Sequence, residues 1–378
     1  MRILGVIGND LSSLERTGQL SRVTDFYWPY YAKAFDQIYV FSPLPRALVA
    51  ESNPKVTIIP PKITLSSRSS QWLSPWLYPE LRKCSVLRIM HMSAAIPAIL
   101  CKLLFGIPFL ATYGFDYARF VWFGRRPKIV LGLKWAYTSL VVKLGIRLAD
   151  LIVITSPEAS DDLKRLGRIS KIAHIPNGVD TAFFKPNIKQ FRSEPTVRYL
   201  FVGRLEKQKN LFMLIDSLAA VQKELPLLLT LVGEGSLREE ILCRAQKVGL
   251  PIRLLGVISH KNLVTVMNEH DVFVLPSLEE GHPKSLLEAM SCGMACVGTN
   301  VRGIAPLIRH AKTGLLADLS VESLARQLAW VGSNVQLRAQ LGRTGRAFIS
   351  EHFDIDMLLQ KETGCILSLV PIDKVGHG

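Results

Sequence analysis

Two short stretches of the 378-residue sequence carry the side chains best suited to chemistry. In the first, Phe201-Val202 runs into Gly203-Arg204-Leu205-Glu206-Lys207-Gln208-Lys209-Asn210. The pattern predicts a strand ending at Gly203, a short loop, and a helix opening near Asn210. Arg204 and Lys209 would then stand beside a helix N-terminus, where guanidinium, ammonium and backbone amides converge on negative charge. That arrangement suits a diphosphate, above all one that gains charge as a bond to it breaks. Fixed cations stabilise such developing charge and can stand in for a metal ion. Taken alone, the stretch also reads as a solvated loop with ordinary surface charges.

The second stretch is Leu278-Glu279-Glu280-Gly281-His282-Pro283-Lys284-Ser285-Leu286-Leu287-Glu288-Ala289-Met290-Ser291-Cys292-Gly293. A strand at Val272–Leu275 leads in, and Pro283 fits the first turn of a helix that stops near Gly293. Glu280 falls at the helix mouth and Glu288 a turn inside it. The amides of His282 to Ser285 can face a phosphate or sugar oxygen. Two carboxylates at this spacing can accept hydrogen bonds from vicinal hydroxyls. A helix-surface Glu288 and a helix-capping Glu280 are the plainer readings, but they leave the Gly-Pro turn between the two acids unexplained.

These loops need strands to hold them. Short apolar runs at Ile3–Ile7, Ile38–Phe41, Val56–Ile59, Val86–Met90, Phe109–Thr112 and Leu151–Thr155 alternate with helical patterns. A second series follows at Tyr199–Val202, Leu227–Val232, Arg253–Leu255, Val272–Leu275 and Ala295–Gly298. Repeated βα units of this kind predict two doubly wound α/β domains with parallel sheets. The Pro-rich, turn-rich stretch Pro176–Pro195 reads as the connection between them. Ligands of such sheets bind beyond the carboxyl ends of the strands, where both charged stretches fall.

Composition narrows the class. Hydrophobic residues make up 48% and charged residues 20%, as in an ordered globular protein. The six cysteines are scattered; only Cys292 and Cys296 are close, and nothing completes a zinc pattern. Reduced thiols and a cytoplasmic location are expected. The apolar run at the N-terminus is too short for a signal peptide. Ala94–Thr112 approaches the length of a membrane span, but Pro97, Gly106 and Pro108 interrupt it, so a buried helix followed by a strand is expected.

The net charge is +15 and unevenly placed: residues 1–185 hold 24 basic and 12 acidic residues, the remainder 22 and 19. The basic excess of the first half predicts an anionic partner there. Arg68, Trp72, Trp76, Arg82 and Lys83 alternate with Leu73, Leu77 and Tyr78, and Phe120-Val121-Trp122-Phe123-Gly124-Arg125-Arg126 lies further on. If Ile129–Ala149 is helical, Lys128, Lys143 and Arg147 share one face within about 100°. Aromatic and basic residues together predict peripheral contact with an anionic membrane. No nucleic-acid module accompanies the charge.

The paired acids Glu280 and Glu288, separated by seven residues and followed by Ala289-Met290, resemble the paired-glutamate motif of glycosyltransferase family 4. His174-Ile175-Pro176-Asn177-Gly178-Val179-Asp180 resembles that family's interdomain signature, and Gly203-Arg204 with Lys209 its phosphate motif. Leu231-Val232-Gly233-Glu234-Gly235 and Asp271–Ser277 keep the same order and spacing. The similarity runs from Leu151 to Phe353. It implies a GT-B fold, an α/β architecture of two Rossmann-like doubly wound domains facing a central cleft. The implied plan is an acceptor-binding domain over 1–180, a linker over 181–195 and a nucleotide-sugar domain over 196–352. A helical segment over 353–378 would pack back toward the first domain.

The resemblance also implies a retaining transfer of a hexose-type sugar without a metal or resident cofactor. A UDP- or GDP-sugar is the implied co-substrate, and a glycan or lipid-linked molecule of cell-envelope or exopolysaccharide synthesis the acceptor. Arg204 and Lys209 would bind the diphosphate, Glu288 the ribose and Glu280 the transferred sugar. Gly203, Gly281, His282, Pro283, Lys284 and Ser285 would support the donor. Some positions depart from the family. After the first strand only Gly18 represents a glycine-rich loop, and Tyr113-Gly114-Phe115-Asp116-Tyr117 stands where a His is frequent. His282 replaces a frequent aromatic, and Arg302-Gly303 a common Gly-Gly. Gly18, Tyr113 and Asp116 are the acceptor-side candidates, with a packed aromatic turn the other reading of Tyr113. A nucleotide-sugar epimerase and a non-catalytic nucleotide-sugar-binding scaffold are the rival functions.

Overall fold

The computed structural model describes residues 1–8, 11, 20, 23–42, 53–63, 71–114, 128–165, 171–187 and 196–371. The chain divides into two compact units, Met1–Pro176 with Leu359–Gly378, and Asn177–Leu358. The division falls at Pro176, so the described residues 177–187 belong to the second unit: Val179 and Phe184 are buried in its core.

The first unit holds a seven-stranded sheet built from β1 (Ile3–Ile7), β2 (Gln37–Phe41), β3 (Val56–Ile59), β4 (Val86–Ile89), β5 (Phe109–Tyr113), β6 (Leu151–Ile154) and β7 (Ile172–His174). Its spatial order is β3-β2-β1-β4-β5-β6-β7, with every pair parallel. The second holds β8 (Val197–Val202), β9 (Leu227–Val232), β10 (Ile252–Leu254), β11 (Val272–Leu275), β12 (Ala295–Thr299) and β13 (Leu315–Ala317) in the order β10-β9-β8-β11-β12-β13, again parallel throughout. Both sheets are therefore doubly wound, with reversals at β1/β4 and β8/β11. All four residues of β4 and of β11 are buried, as expected of strands covered on both faces. Strands β7 and β13 were not anticipated: three residues each, they are too short to show a period.

In the first unit, the stretch Ala94–Thr112 resolves into the helix Ile96–Phe105 and strand β5, as its prolines and glycine require. The helix Lys128–Leu148 is the better match to a span. Its Ile129–Leu148 portion has a mean hydropathy of 1.5 and is long and apolar enough to cross a membrane by length and composition. Its inner residues Val141, Val142 and Ile146 are nevertheless buried in the fold. At Gly145 an added Cβ would lie 2.6 Å from the Met92 sulfur, so helix and sheet connection touch directly.

Within β4, Arg88 is 3% exposed. Its Nε donates to Glu362 Oε1 at 2.5 Å, Nη1 to the Ile89 carbonyl at 2.5 Å and Nη2 to Thr112 Oγ1 at 2.7 Å. Glu362 lies on the helix Ile355–Leu367, whose residues from Leu359 onward belong to this unit. Burial alone would lower the Arg88 guanidinium, but Glu362 and Tyr31 outweigh it and hold the charge. Burial, reinforced by Glu362, pushes the Tyr31 hydroxyl well above its ordinary value.

In the second unit the helix Leu211–Val221 packs on Val321–Ser333, and Lys284–Ser291 on Val335–His352. All six cysteines are free thiols.

Candidate active site

The two charged stretches follow β8 and β11, the neighbours at which the second sheet reverses its winding. Neither strand's outgoing helix covers that point, so the carboxyl ends of β8 and β11 open a crevice. Gly203 directly follows β8 and donates its N–H to the Val232 carbonyl at 3.0 Å. The next loop crosses so closely that a Cβ on Gly233, whose φ is +130°, would lie 2.0 Å from the Gly203 carbonyl oxygen. Only glycine fits there.

Beyond Gly203, Glu206 accepts from the Ser236 amide at 2.9 Å and from its hydroxyl at 2.8 Å, pinning the loop. A 3-10 turn at Lys207–Lys209 and a left-handed Asn210 (φ 52°) then feed the helix Leu211–Val221, one residue past the expected start. Gln208, pointing inward, donates to the Glu279 carbonyl at 2.7 Å, and the Leu278 amide donates to the Gln208 carbonyl at 2.9 Å. The two loops are stitched together backbone to side chain.

This stitching brings Lys209 to Glu280. The Lys209 ammonium donates to Glu280 Oε1, which also accepts from the Ser277 hydroxyl at 2.6 Å. Glu280 is 9% exposed and Ser277 fully buried, its carbonyl accepting from Thr299 Oγ1 at 2.6 Å. From the far side, the Glu280 amide donates to the Arg302 carbonyl, and Gly303 (φ +85°) approaches closely. A Cβ there would lie 2.3 Å from the Glu280 carbonyl oxygen and 2.5 Å from that of Gly281. Arg204 stands exposed, and no ion pair holds it among the described residues. The helix Lys284–Ser291 begins after an extended Pro283 with no side-chain cap, so its first amides, with those of Gly281 and His282, form the positive rim of the crevice.

Gly203, Arg204, Lys209, Glu280, Gly281, His282 and Pro283 thus occupy two adjoining loops, and Lys284 and Ser285 the first turn of the helix that follows. Glu288 lies deeper. It is 3% exposed, 3.3 Å from His260 Nε2, and that imidazole stacks on Phe183 and meets Phe184 edge-on. The signature around Asn177 serves the same loop: Asn177 Nδ2 donates to the His282 carbonyl at 2.7 Å. The His282 ring packs on Phe353. On the acceptor side, Tyr113 is 1% exposed within the apolar core of the first unit, which is the packed reading. Gly18 and Asp116 lie outside the described residues, as do Arg68 and Phe120–Arg126.

Sequence reasoning passed over Ser277, His260, Gly233 and Gly303 as working parts. Of these, the two glycines carried a signal, since each stands at a turn directly after a strand or opposite a charged loop. Among the described residues no group of three or more His, Cys, Asp or Glu side chains could hold a metal ion.

Comparison with known proteins bears on the family and the fold. The profile of the family "Glycosyl transferases group 1" matches residues 184–348, and that of "Glycosyltransferase Family 4" matches residues 29–183. The chain belongs to this glycosyltransferase family. It is similar to the N-acetyl-alpha-D-glucosaminyl L-malate synthase of Bacillus anthracis, at 24% identity over 77% of each chain. Its similarity to the UDP-Gal:alpha-D-GlcNAc-diphosphoundecaprenol alpha-1,3-galactosyltransferase of Escherichia coli reaches 32% identity, over 40% of this chain and 42% of the relative. That match thus spans less than half of the galactosyltransferase. In fold, the glycosyltransferase resembles Anabaena HepE, solved with UDP and glucose, with a TM-score of 0.76, 18% identity and coverage of 97% and 100%.

Proposed function

We propose that this glycosyltransferase transfers a hexose-type sugar from a UDP-sugar to a glycan or lipid-linked acceptor, with retention and without a divalent cation. The observation that carries the proposal is the crevice at β8/β11. There an exposed Arg204, the Lys209–Glu280 pair and an uncapped helix mouth adjoin one another. The choice of UDP draws on the names of relatives: one is a UDP-galactose enzyme acting on a diphosphoundecaprenol-linked sugar, and HepE was solved with UDP and glucose.

In the proposed reaction the bond from the sugar C1 to the donor's terminal phosphate oxygen breaks. Arg204, Lys209 and the backbone N–H groups of Gly281, His282, Lys284 and Ser285 stabilise the charge that appears on the diphosphate. The acceptor hydroxyl oxygen bonds to C1 on the face the diphosphate leaves, and its proton passes to the departing phosphate oxygen. Glu280 accepts hydrogen bonds from the sugar hydroxyls and steadies the oxocarbenium-like carbon. Once a phosphate draws on Lys209, the second oxygen of Glu280 and the released share of the first are available for this. Glu288, orienting against His260, is assigned to the ribose.

A thermal-shift series with UDP, GDP and their sugars, with and without EDTA, tests the donor. A ligand of the native state raises the melting temperature by mass action. A UDP-selective rise that EDTA leaves unchanged is expected; a rise abolished by EDTA would defeat the metal-free mechanism. Incubation with UDP-sugar alone separates the rivals, because an epimerase converts the free donor and a binding scaffold converts nothing under any condition.

A further inference from the structure

The helix Lys128–Leu148 has the polarity of its surface the wrong way round for a face turned to water. Ile129, Leu133, Leu140 and Leu144 are 80%, 70%, 55% and 38% exposed. On a helix of 3.6 residues per turn these four side chains fall within about 60° of one another. They lie opposite the buried Val141, Val142 and Ile146, so the outermost line of the helix is apolar. The apolar surface continues onto neighbouring elements. Trp72 closes a wholly apolar cleft over Leu100, Tyr137, Leu140 and Leu144, and Leu103 and Leu104 extend it as exposed residues of the adjoining helix Ile96–Phe105. Trp76, 58% exposed, stands on the short helix Ser74–Leu77 that packs on Ile96–Phe105.

Charge borders this surface with one sign. The helix carries Lys128, Lys134, Lys143 and Arg147 and not one carboxylate. Lys143 and Arg147 follow the edge of the apolar line, and residues 71–114 add the exposed Arg82 and Lys83 against the acid Glu80, while Lys102 is paired with Asp150 and Arg88 is buried. Exposed contiguous apolar surface calls for a partner. A second copy of the chain would bring Lys134, Lys143 and Arg147 against their own like, with no acid on the helix to answer them. A bilayer with anionic headgroups satisfies both features: acyl chains take up the leucines and tryptophans while headgroups meet the cations. Because Val141, Val142 and Ile146 are packed into the fold, the helix can lie in the interface but not cross it.

We propose that the first unit docks on an anionic membrane surface by inserting the Ile129–Leu144 stripe together with Trp72 and the Leu103–Leu104 turn. This places the glycosyltransferase at a lipid surface and does not rest on the identity of its donor. The test is flotation of the full chain with phosphatidylcholine vesicles, with or without about 30 mol% phosphatidylglycerol, at low salt and at about 0.5 M salt. Binding is expected to the anionic vesicles at low salt and to fall steeply at high salt.

The double variant Leu133→Ser/Leu140→Ser changes two exposed side chains and is expected to lower vesicle binding at least about tenfold. Its melting temperature and its response to UDP should match those of the parent. Lys143→Gln/Arg147→Gln should weaken the salt-sensitive part of binding. Wild-type protein that stays with the soluble fraction, or a Leu133→Ser/Leu140→Ser variant that floats unchanged, would overturn the proposal. So would sedimentation showing a dimer that this variant dissolves. A lost UDP response in the parent would count against the donor reading and leave the membrane result to stand by itself.

Discussion

Among the described residues, each unit buries a lysine or arginine against a glutamate, and the two pairs are placed differently. In the first unit Arg88 lies inside β4, and Glu362, Ile89 and Thr112 take its Nε, Nη1 and Nη2 donors. In the second, Lys209 and Glu280 lie on loops beyond the strand ends. Glu280 there uses a single oxygen, Oε1, for both Lys209 and Ser277. Glu362 likewise meets Arg88 through Oε1 alone, so the difference is one of place: the first pair lies within the sheet, and the second opens on a crevice where Arg204 is exposed and in no ion pair among the described residues. A network closed off within the sheet holds architecture, whereas one that opens on a crevice at the strand ends can meet a ligand. The same charge chemistry thus reads as structure or as site according to where in the fold it lies.

Removing one partner from the closed network is expected to have the larger effect. Glu362→Ala leaves the Arg88 guanidinium buried without its carboxylate and should destabilise the first unit by about 3–5 kcal/mol. Urea unfolding, with hydrogen exchange at β1, β4 and β5, would measure it. Arg88→Met/Glu362→Leu removes both charges and should recover most of that loss. If the double variant is no better than Glu362→Ala, the pair is doing more than filling space.

At the open network the loss should appear in catalysis. Lys209→Ala is expected to raise the barrier to transfer by about 3 kcal/mol, a fall of about 100-fold in turnover. Pairing it with Glu280→Leu should restore no activity, unlike the compensation expected at Arg88. Activity within a few fold of the parent in Lys209→Ala would remove the diphosphate role from Lys209.

A smaller effect is expected where a loop rather than a charge is disturbed. Gly303→Ala places a Cβ against the Glu280 and Gly281 carbonyls at a positive φ and should cost about 1–3 kcal/mol. Because the strain falls on the loop bearing Glu280, turnover should fall more than UDP binding. Equal losses in both would mean that the strain spreads through the sheet instead.

The contrast also explains what could be read from the residues alone. The open network was legible because Arg204, Lys209 and Glu280 are close to strand ends and glycines, and local spacing predicts strands, turns and helix mouths. The closed network was not: Arg88 and Glu362 are 274 positions apart, and nothing local distinguishes a buried arginine in β4 from a surface one. The parallel sheets were visible from their apolar runs, yet β7 and β13 were too short to register. The basic helix was recognised by its cations, but its outward-facing leucines required burial to be known. Tyr113 carried two readings until its position in the core favoured packing.

The smallest expected effect concerns a titration that belongs to neither network. His270 precedes β11, is 5% exposed, and its Nδ1 donates to the Val266 carbonyl at 2.6 Å. Burial lowers its folded-state value below the ordinary 6.5, outweighing the raising influences of the Val266 carbonyl and the neighbouring acids. Below the unfolded value, the unfolded chain therefore binds the proton more readily than the folded one. The buried neutral imidazole contributes its full stability above about pH 6.5 and loses it as pH falls through the lower folded value. His270→Gln should flatten the decline of melting temperature between about pH 6.5 and 5, while Glu362→Ala and Lys209→Ala should leave that slope in place. A slope unchanged by His270→Gln would assign the acid sensitivity to another group and separate it from the strand that carries the Glu280 loop.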